Sequence, residues 1–291
     1  IIILPTWLLS PLSTVNRFFC FFISGFKEHE IVIANRDNDV HNLIDKFSAH
    51  ISFTPKEEFK GEEILKKFGL TKDAKFVCLH VRDTGYLSRH IKHEYMDERW
   101  QYHNHRDGDI DKYVLAAEEL ARRGYYVFRM GINVLKPLKS PNPKVIDYAN
   151  SKMRSSFMDI YLGAKCCFCI STSAGFDGIP FIFRKPIAYI TVPLGYILTS
   201  NEKTLSITKH HKQKKNNKKL TISEIFSTNV AFSDRSDEFK QKNVELEENS
   251  PEEIRDLAIE MDERLNGNWK ETREDLLLQK KFWSLFEENI K

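Results

Sequence analysis

The segment Lys75-Phe76-Val77-Cys78-Leu79-His80-Val81 is almost continuously apolar and is followed by Arg82-Asp83. Strands of a parallel sheet that are covered on both faces have this composition, whereas half-exposed strands alternate between apolar and polar residues. The segment therefore predicts a buried strand. Because one strand cannot form a sheet, the rest of the sequence should contain more segments of this kind.

Four further segments have the same buried-strand character. They begin at Tyr125, Val145, Lys165 and Pro186, and helical segments separate most of them. Strands that alternate with helices are joined by right-handed crossovers, which makes the sheet parallel and places helices on its faces. The sequence thus predicts an α/β fold with a parallel sheet and helices on both faces.

Capping residues in the sequence also predict where several helices begin. Thr54-Pro55-Lys56-Glu57 combines a hydroxyl cap, a proline at the first helical position and a glutamate that can bond back to the cap. Ser250-Pro251-Glu252-Glu253 repeats the pattern, while Asp109 and either Ser155 or Ser156 can cap two more helices. A last amphipathic helix carries Leu276, Leu277, Phe282, Trp283 and Phe286.

These elements divide the chain into three predicted parts. Residues 1–70 are expected to be the remnant of an incomplete N-terminal domain, since the chain opens with Ile1 and no complete strand unit precedes residue 75. Residues 71–205 are predicted to be a complete parallel α/β domain. Residues 206–291 are predicted to be a basic loop and a helical tail that completes this domain.

Two biased runs lie outside the central part. Phe18, Phe19, Phe21 and Phe22 predict a buried helix, with contact to a membrane surface as the alternative. Residues 209–219 contain six lysines and no acid, which predicts a solvated, mobile loop, with contact to anionic lipid as the alternative.

Composition excludes several classes of protein. Lys and Arg number 44 against 41 Asp and Glu, which is too balanced for a chain whose main role is to bind nucleic acid. Five cysteines in 291 residues do not make a disulfide scaffold, so a reducing compartment, the cytoplasm, is expected. The most apolar stretch is far shorter than the ~20 residues that a spanning helix needs. Dinucleotide, P-loop and nucleophile-elbow motifs are absent, which argues against dehydrogenases, kinases and α/β-hydrolases.

Polar residues at the carboxyl ends of the predicted strands are the candidate site, because ligands of open parallel sheets bind there. His80, Arg82 and Asp83 end the first strand, and His80 and Arg82 share a face because they are two residues apart. The planar fork of an arginine can donate two parallel bonds to a diphosphate. A surface ion pair of Arg82 with Asp83 is the alternative interpretation.

Two other strand ends carry similar residues. Arg129 and Gly131 end the second strand, and pairing of Arg129 with an acid at the sheet edge is the alternative interpretation. The fourth strand is followed by small and hydroxyl residues whose backbone N–H groups can cradle a phosphate, or which form an ordinary cap and turn. These residues are Ser171, Thr172, Ser173 and Gly175.

Further candidates precede and open the helix near residue 156. Arg154, Ser155 and Asp159 either cap this helix and interact with its dipole, or bind a nucleotide, with Asp159 accepting bonds from a base or ribose edge. His103 and His105, near Asp107, predict a solvated loop, with a role near an acceptor sugar as the alternative.

The three clustered cysteines, Cys166, Cys167 and Cys169, are predicted to be buried thiols, because strand alternation splits them between two faces. No metal site is predicted.

Several strings in order resemble a family of bacterial glycosyltransferases linked to surface polysaccharide. The resemblance covers roughly residues 40 to 285 and includes His80-Val81-Arg82-Asp83, Asp109-Ile110-Asp111-Lys112-Tyr113, Gly124-Tyr125-Tyr126-Val127-Phe128-Arg129-Met130-Gly131, Arg154-Ser155-Ser156-Phe157-Met158-Asp159-Ile160, Ser171-Thr172-Ser173-Ala174-Gly175 and Asn249-Ser250-Pro251-Glu252-Glu253-Ile254.

More distantly, His80-x-Arg82 is similar to the sugar-nucleotide motif of fucosyltransferases with two Rossmann domains. This resemblance implies a Rossmann-like, GT-B-like fold in which Arg82 contacts the donor diphosphate, the Ser171 loop assists and Asp159 lies near the base. It also implies that the last helix packs back onto the first domain.

The activity implied is metal-independent transfer of a sugar from a nucleotide diphosphate donor to a surface-polysaccharide or lipid-linked glycan acceptor. No cofactor is expected beyond this donor substrate, no nucleic acid is expected as a partner, and peripheral contact with the inner membrane stays open. A general base must deprotonate the acceptor if the anomeric centre inverts, and His80 and Asp83 are the nearest candidates. The alternatives are a non-catalytic nucleotide- or glycan-binding module and a transferase of a non-sugar group such as pyruvyl.

Overall fold

A computed structural model describes residues 6–26, 43–86, 101–191, 194 and 202–290. The chain divides into two compact units, Ile1–Asn38 and Asp39–Lys291. Most of the elements predicted from the sequence belong to the second unit.

The described part of the first unit contains helix α1, Thr6–Cys20, with Pro11 inside it. The side chains of Phe18, Phe19, Phe21 and Phe22 are 63–72% exposed, so the prediction of a buried helix is wrong. The rings contact one another edge-to-face. Throughout the described ranges, every helix lacks the length and apolar content that are needed to cross a bilayer.

The second unit contains a six-stranded sheet in the order β3-β2-β1-β4-β5-β6, and each neighbouring pair is parallel. The strands are β1 Phe76–His80, β2 Tyr126–Met130, β3 Val145–Ile146, β4 Cys169–Ser171, β5 Ile187–Thr191 and β6 Leu205–Thr208. The predicted α/β fold with a parallel sheet is confirmed, and the five predicted strands are all present. The sixth strand was not predicted. It begins at Leu205, the last residue of the predicted central domain.

The helices of this unit confirm the predicted caps. They are α2 Leu43–Lys46, α3 Pro55–Lys67, α4 Val114–Arg122, α5 Ser156–Lys165, α6 Gly178–Ile182, α7 Ile222–Ser227, α8 Ser236–Gln241, α9 Pro251–Leu265 and α10 Arg273–Ile290. Thr54 and Ser250 form capping boxes with Glu57 and Glu253. Asp109 caps the short 3₁₀ turn Ile110–Tyr113, which leads directly into α4.

Alternate residues of β1 belong to two different cores. Val77 and Leu79 pack with residues of α4 and α9 on one face of the sheet. Phe76 and Cys78 pack with residues of α5 and, at the edge, of α3 on the other face. Helices therefore cover both faces, which is why β1 has almost no polar residue before its end.

The clustered cysteines follow the same alternation. Cys166 and Cys169 are buried in the second core, whereas Cys167 packs against the first. All three are free thiols, and burial raises the pKa of the thiols of Cys167 and Cys169.

The basic run forms part of a small antiparallel sheet, so the prediction of a mobile loop is wrong. This sheet has the order β8-β7-β9, with β7 His210–Gln213, β8 Lys218–Lys219 and β9 Val244–Glu247. Lys212 pairs with Glu247 at 2.8 Å, and Lys218 pairs with Glu224 at 2.6 Å. Both acids lie beyond the basic run in the sequence, so the run itself does not show that its lysines are paired. Lys209 is only 5% exposed. Contact of the run with lipid stays a prediction.

The divisions proposed at residues 70 and 205 also stay predictions. Helix α9 belongs to the predicted tail, yet its residues pack in the core of the large sheet. A third apolar cluster contains Phe226, Phe239 and Phe286 from α7, α8 and α10.

Candidate functional site

The candidate site lies at the point where the strand order of the large sheet reverses. β2 and β3 lie on one side of β1, whereas β4, β5 and β6 lie on the other, and His80 is the register partner of Ser171 across the β1–β4 pair. In sheets of this order, crossovers leave a crevice at the carboxyl edge between these two strands. A cavity of about 510 Å³ lies at this edge.

Seven of the residues predicted from the sequence line this cavity, namely His80, Arg82, Asp83, Gly131, Arg154, Asp159 and Gly175. Five others, Arg129, Ser155, Ser171, Thr172 and Ser173, do not line it. The cavity therefore collects residues from segments that are up to about 95 positions apart in the sequence.

His80 is held in the cavity wall as a neutral imidazole. Its ring lies 5.2 Å from the ring of Phe176, and its Nδ1 has no hydrogen-bond partner among the described residues. Burial, together with the positive charges of Arg129 and Arg82, lowers the pKa of His80 to about 4. At neutral pH this side chain can exchange hydrogen bonds with a ligand but carries no charge.

Arg82 is anchored on one edge of its guanidinium group. Its backbone N–H donates to Thr172 Oγ1 at 2.8 Å, and its Nη1 donates to the carbonyl oxygen of His103 at 3.1 Å and to the carboxylate of Asp107. Its Nε and Nη2 make no hydrogen bond with the described residues. One edge of the fork is thus fixed, and donors on the other edge remain for a ligand.

Asp83 connects two loops rather than presenting an unengaged carboxylate. Its Oδ1 accepts from the backbone N–H of Gly85 at 2.9 Å, and its Oδ2 accepts from that of Leu135 at 2.9 Å. Oδ2 also lies 3.6 Å from Nη2 of Arg129. Because both oxygens are engaged, Asp83 is a poor candidate for a general base in this structure.

Arg129 lies inside the protein, as the alternative interpretation of the sequence had it. The side chain is 1% exposed and lies between two carboxylates, with Asp83 and Asp147 each at 3.6 Å. Arg129 therefore does not contact the cavity, and it acts on the cavity only through the electrostatic effect of its charge. The neighbouring Gly131 has φ of +141°, and a Cβ there would lie 2.7 Å from Val134. Glycine is required at this turn.

Arg154 and Asp159 form a hydrogen-bonded pair in the cavity wall. Nη2 of Arg154 donates to Asp159 at 2.6 Å, and its Nε donates to the carbonyl oxygen of Gly131 at 3.1 Å. The hydroxyl of Tyr148 also donates to Asp159, and burial raises the pKa of this carboxyl. Ser155 caps α5 by accepting from the N–H of Met158 and takes no part in the wall.

The hydroxyl groups of Ser171 and Thr172 in the loop after β4 are engaged in hydrogen bonds within the protein. Ser171 donates to the carboxylate of Asp177 and accepts from the N–H of Ser173 at 3.2 Å. Ser173 has φ of +58°, and the N–H of Ala174 donates to Asp177 at 2.8 Å. The loop is therefore a rigid turn that presents Ala174, Gly175 and Phe176 to the cavity, while its hydroxyls support the turn.

A segment that was predicted to be a solvated loop contributes to the site instead. His103 and Arg106 line the cavity, and Arg106 donates to the carbonyl oxygen of Ser173. His105 is bonded to Tyr102 and Ser236, and burial lowers its pKa to about 4. Sequence reasoning missed Arg106, although an arginine among histidines and an aspartate in 103–107 was a visible signal.

The electrostatic character of the cavity is mixed but rich in cations. Arg82, Arg106 and Arg154 line it together with the carboxylates of Asp83 and Asp159. Apolar side chains form much of the remaining wall, namely those of Val81, Met130, Ile132, Val134, Phe176 and Ile179. Such a cavity can hold an anion beside a ring system. In the part of the chain that the structure describes, no three His, Cys, Asp or Glu side chains are grouped as metal ligands.

Comparison with known proteins gives little further information. No family model and no curated protein matches the chain. A solved glycosyl transferase of family 9 from Veillonella parvula DSM 2008 is 13% identical over 55% of this chain and 42% of that one, with a TM-score of 0.35. The matched region is thus less than half of that protein, and a likeness at this level carries no argument about function.

Proposed function

We propose that this chain is a glycosyltransferase that takes a sugar from a nucleotide diphosphate donor. The observation that carries the proposal is Arg82, which follows the carboxyl end of β1 and keeps the Nε and Nη2 donors of its fork available beside the cavity. A bidentate fork matches the geometry of phosphate oxygens. The resemblance of the sequence around His80 and Arg82 to sugar-nucleotide motifs agrees with this assignment.

The dimensions and walls of the cavity support a nucleotide. A volume of about 510 Å³ is within the range of small-molecule sites, which are mostly apolar with a few convergent polar groups. Phe176 and Ile179 offer an apolar surface, and the pair of Arg154 and Asp159 offers both donors and acceptors. In this proposal Arg82 and Arg106 hold the diphosphate, and Asp159 lies toward the base or ribose.

The proposed chemistry needs no divalent cation. Negative charge grows on the diphosphate as it leaves, and fixed cations stabilise this charge without reorganisation. In this proposal Arg82 and Arg106 are the fixed cations, and neutral His80 can donate a hydrogen bond to the leaving diphosphate. The proposed acceptor is a surface-polysaccharide or lipid-linked glycan in the cytoplasm, and contact with the inner membrane belongs to this proposal.

A second candidate is a module that binds the nucleotide without turnover. The observation that favours it is the lack of a poised base among the two predicted catalytic residues. Asp83 uses both oxygens, and His80 with a pKa of about 4 accepts protons weakly. Incubation with a panel of nucleotide sugars separates the two candidates, because only a catalyst releases free nucleoside diphosphate.

The first test is a thermal-shift screen with GDP, UDP, CMP and TDP. A ligand that binds only the folded state stabilises it by about 2.7 kcal/mol at a hundredfold excess over Kd. Calorimetric titration of the selected nucleotide should then show that Arg82→Ala weakens binding about 10- to 100-fold, since a charged hydrogen bond contributes ~1.5–3 kcal/mol. Arg82→Lys should restore little of the affinity, because an ammonium group lacks the planar fork.

Arg122→Ala is the matched control, because this arginine is exposed on α4 and pairs only with Glu119 among the described residues. It should bind nucleotide as wild type does. Equal affinity of Arg82→Ala and wild type would leave the proposal without its main support.

A further inference from the structure

A buried lysine that does not line the cavity is linked to Arg82 through Asp107. Lys209 directly precedes β7 and is 5% exposed. Its Nζ donates to the carbonyl oxygen of Asp107 at 2.5 Å and to that of His105 at 3.1 Å. The same Asp107 accepts a bond from Nη1 of Arg82 through its side chain. Lys209 therefore fixes the backbone of Asp107, and the side chain of Asp107 in turn holds Arg82.

Charges of alternating sign extend this chain of contacts beyond Lys209. Glu248 faces Lys209 electrostatically, and its carboxylate accepts from the backbone N–H of Asp109 at 3.0 and 3.2 Å. Nζ of Lys112 lies 3.7 Å from the same carboxylate. A buried ammonium group is tolerated only when it is well paired, and here two carbonyls and two carboxylates surround it. The network links the small sheet to Arg82.

We infer that Asp107 and Lys209 are positioning residues for Arg82. Lys209 fixes the backbone at residues 105 and 107, and the Asp107 carboxylate then holds Nη1 so that Nε and Nη2 stay available for a phosphate group. The identity of the ligand rests on the proposed function, whereas the orientation of Arg82 does not. Without this support the guanidinium group would rotate among several rotamers, and ordering it would reduce the affinity for ligand.

The network predicts a pH dependence. Burial, with a smaller contribution from the charge of Asp83, raises the pKa of Asp107 to about 6 against the positive charges of Arg82, Lys209 and Arg106, which lower it. Above pH 6 the carboxylate is charged and holds Arg82, and below pH 6 it is protonated and the charge-assisted bond is lost. Removal of the charge of Lys209 takes away one opposing contribution, so the pKa of Asp107 should rise.

The first experiment needs no ligand. A guanidinium group that is anchored through Nη1 rotates slowly about its Nε–Cζ bond, and its Nη protons are resolved by ¹⁵N NMR; Arg82→Lys identifies the signals. These signals should be resolved in wild type at pH 7.5 and should broaden below pH 6. They should be broadened at pH 7.5 in Lys209→Met and in Asp107→Asn.

Lys212→Met and Asp111→Asn are the matched controls. Lys212 lies on β7 and pairs with Glu247, and Asp111 is exposed and pairs with Lys136. Both variants should keep the signals of wild type. If Lys209→Met does not fold, Asp107→Asn gives the same readout. Unchanged Arg82 signals in the folded variants of both positions would overturn the inference, whatever ligand the protein binds.

The second experiment measures affinity for GDP-mannose and UDP-glucose between pH 5 and 8, where their diphosphate groups do not titrate. Lys209→Met should weaken binding about five- to tenfold at pH 7.5. The pH below which affinity falls should also rise by about one pH unit. Asp107→Asn should bind at every pH as weakly as wild type does below pH 6. A wild-type profile in both variants contradicts the inference. If wild type binds neither compound nor any nucleotide of the screen, the proposed function fails, and the NMR result still decides the role of Lys209.

Discussion

Arg82 and Arg129 each follow or end a buried strand, yet the structure gives them different environments. Arg129 lies within β2, and its side chain is buried between the carboxylates of Asp83 and Asp147. Arg82 lies two residues beyond β1, where the chain has left the sheet and one edge of the guanidinium group stays open. An arginine inside the strand is therefore structural, whereas an arginine two residues beyond the end of its strand is a candidate ligand residue.

Asp177 provides a residue-scale prediction about stability. It is buried under the hydroxyl loop, and burial raises its pKa from the usual 3.8 to about 7. Because the folded pKa is higher than the unfolded one, the stability that this group contributes is complete below pH 4 and is lost as the pH rises through 7. Between pH 5 and 8, wild type should lose up to a few kcal/mol of unfolding free energy relative to Asp177→Asn, at about 1.4 kcal/mol per pKa unit.

Urea unfolding at four pH values measures this difference, and the comparison of slopes removes any constant cost of the substitution. Asp111→Asn, at an exposed position, should follow the wild-type pH dependence. Parallel curves for wild type and Asp177→Asn would show that the buried carboxyl has an ordinary pKa.

At the scale of elements, the packing of α3 on α5 depends on one glycine. Gly61 is the buried residue of α3, and a Cβ at this position would overlap the ring of Tyr161 on α5. The hydroxyl of Tyr161 donates to Glu58, and Lys165 pairs with the same glutamate at 2.6 Å. The two helices thus approach closely enough to cover the second core of the sheet.

Gly61→Ala should therefore destabilise the protein by about 1–3 kcal/mol, because overpacking at a close contact forces the helices apart. The intrinsic helix propensity alone predicts the opposite sign, a gain of about 1 kcal/mol. Denaturant unfolding measures the difference. Gly178→Ala is the control, since the added Cβ would meet no atom within 4 Å in the described residues outside its chain neighbours and its own helix backbone. A stabilised Gly61→Ala variant would mean that α3 and α5 are not in contact at this position.

At the scale of the whole molecule, the two compact units differ in the exposure of their clustered aromatic side chains. The second unit buries many of its aromatic side chains in three apolar clusters and exposes others singly, such as Phe59, whereas the neighbouring Phe18, Phe19, Phe21 and Phe22 of the first unit are all more than 60% exposed. Contiguous exposed apolar groups favour association with other surfaces.

Replacement of these four phenylalanines by serine should reduce binding of the dye ANS and self-association in sedimentation velocity, without a change in the urea midpoint of unfolding. Phe286→Ser is the matched control, because this ring is 1% exposed in the third cluster. Its loss should cost about 3–5 kcal/mol and lower the midpoint. A comparable fall in the quadruple variant would show that the four rings are part of a core.

The sequence by itself determined the parallel α/β sheet, most of its strands and the helix caps at Thr54 and Ser250. It could do so because these depend on local patterns: continuous apolar runs for strands covered on both faces, and side-chain bonds within one helical turn. Reasoning from strand ends selected five of the residues that line the cavity, since the carboxyl ends of parallel strands meet at one edge, and the start of the helix near residue 156 supplied Arg154 and Asp159. Only the tertiary structure decided the rest. Whether Arg129 is a ligand or is neutralised, whether the Ser171 loop offers its hydroxyls, and whether Lys209 is solvated or buried all depend on partners such as Asp147, Asp177 and Asp107. For Arg129 and Lys209 these partners lie at least 18 residues away in sequence, and for the loop the turn geometry fixes the bond. The pairings of Arg129 and Lys209 act through space between distant segments, so no local pattern in the sequence could reveal them.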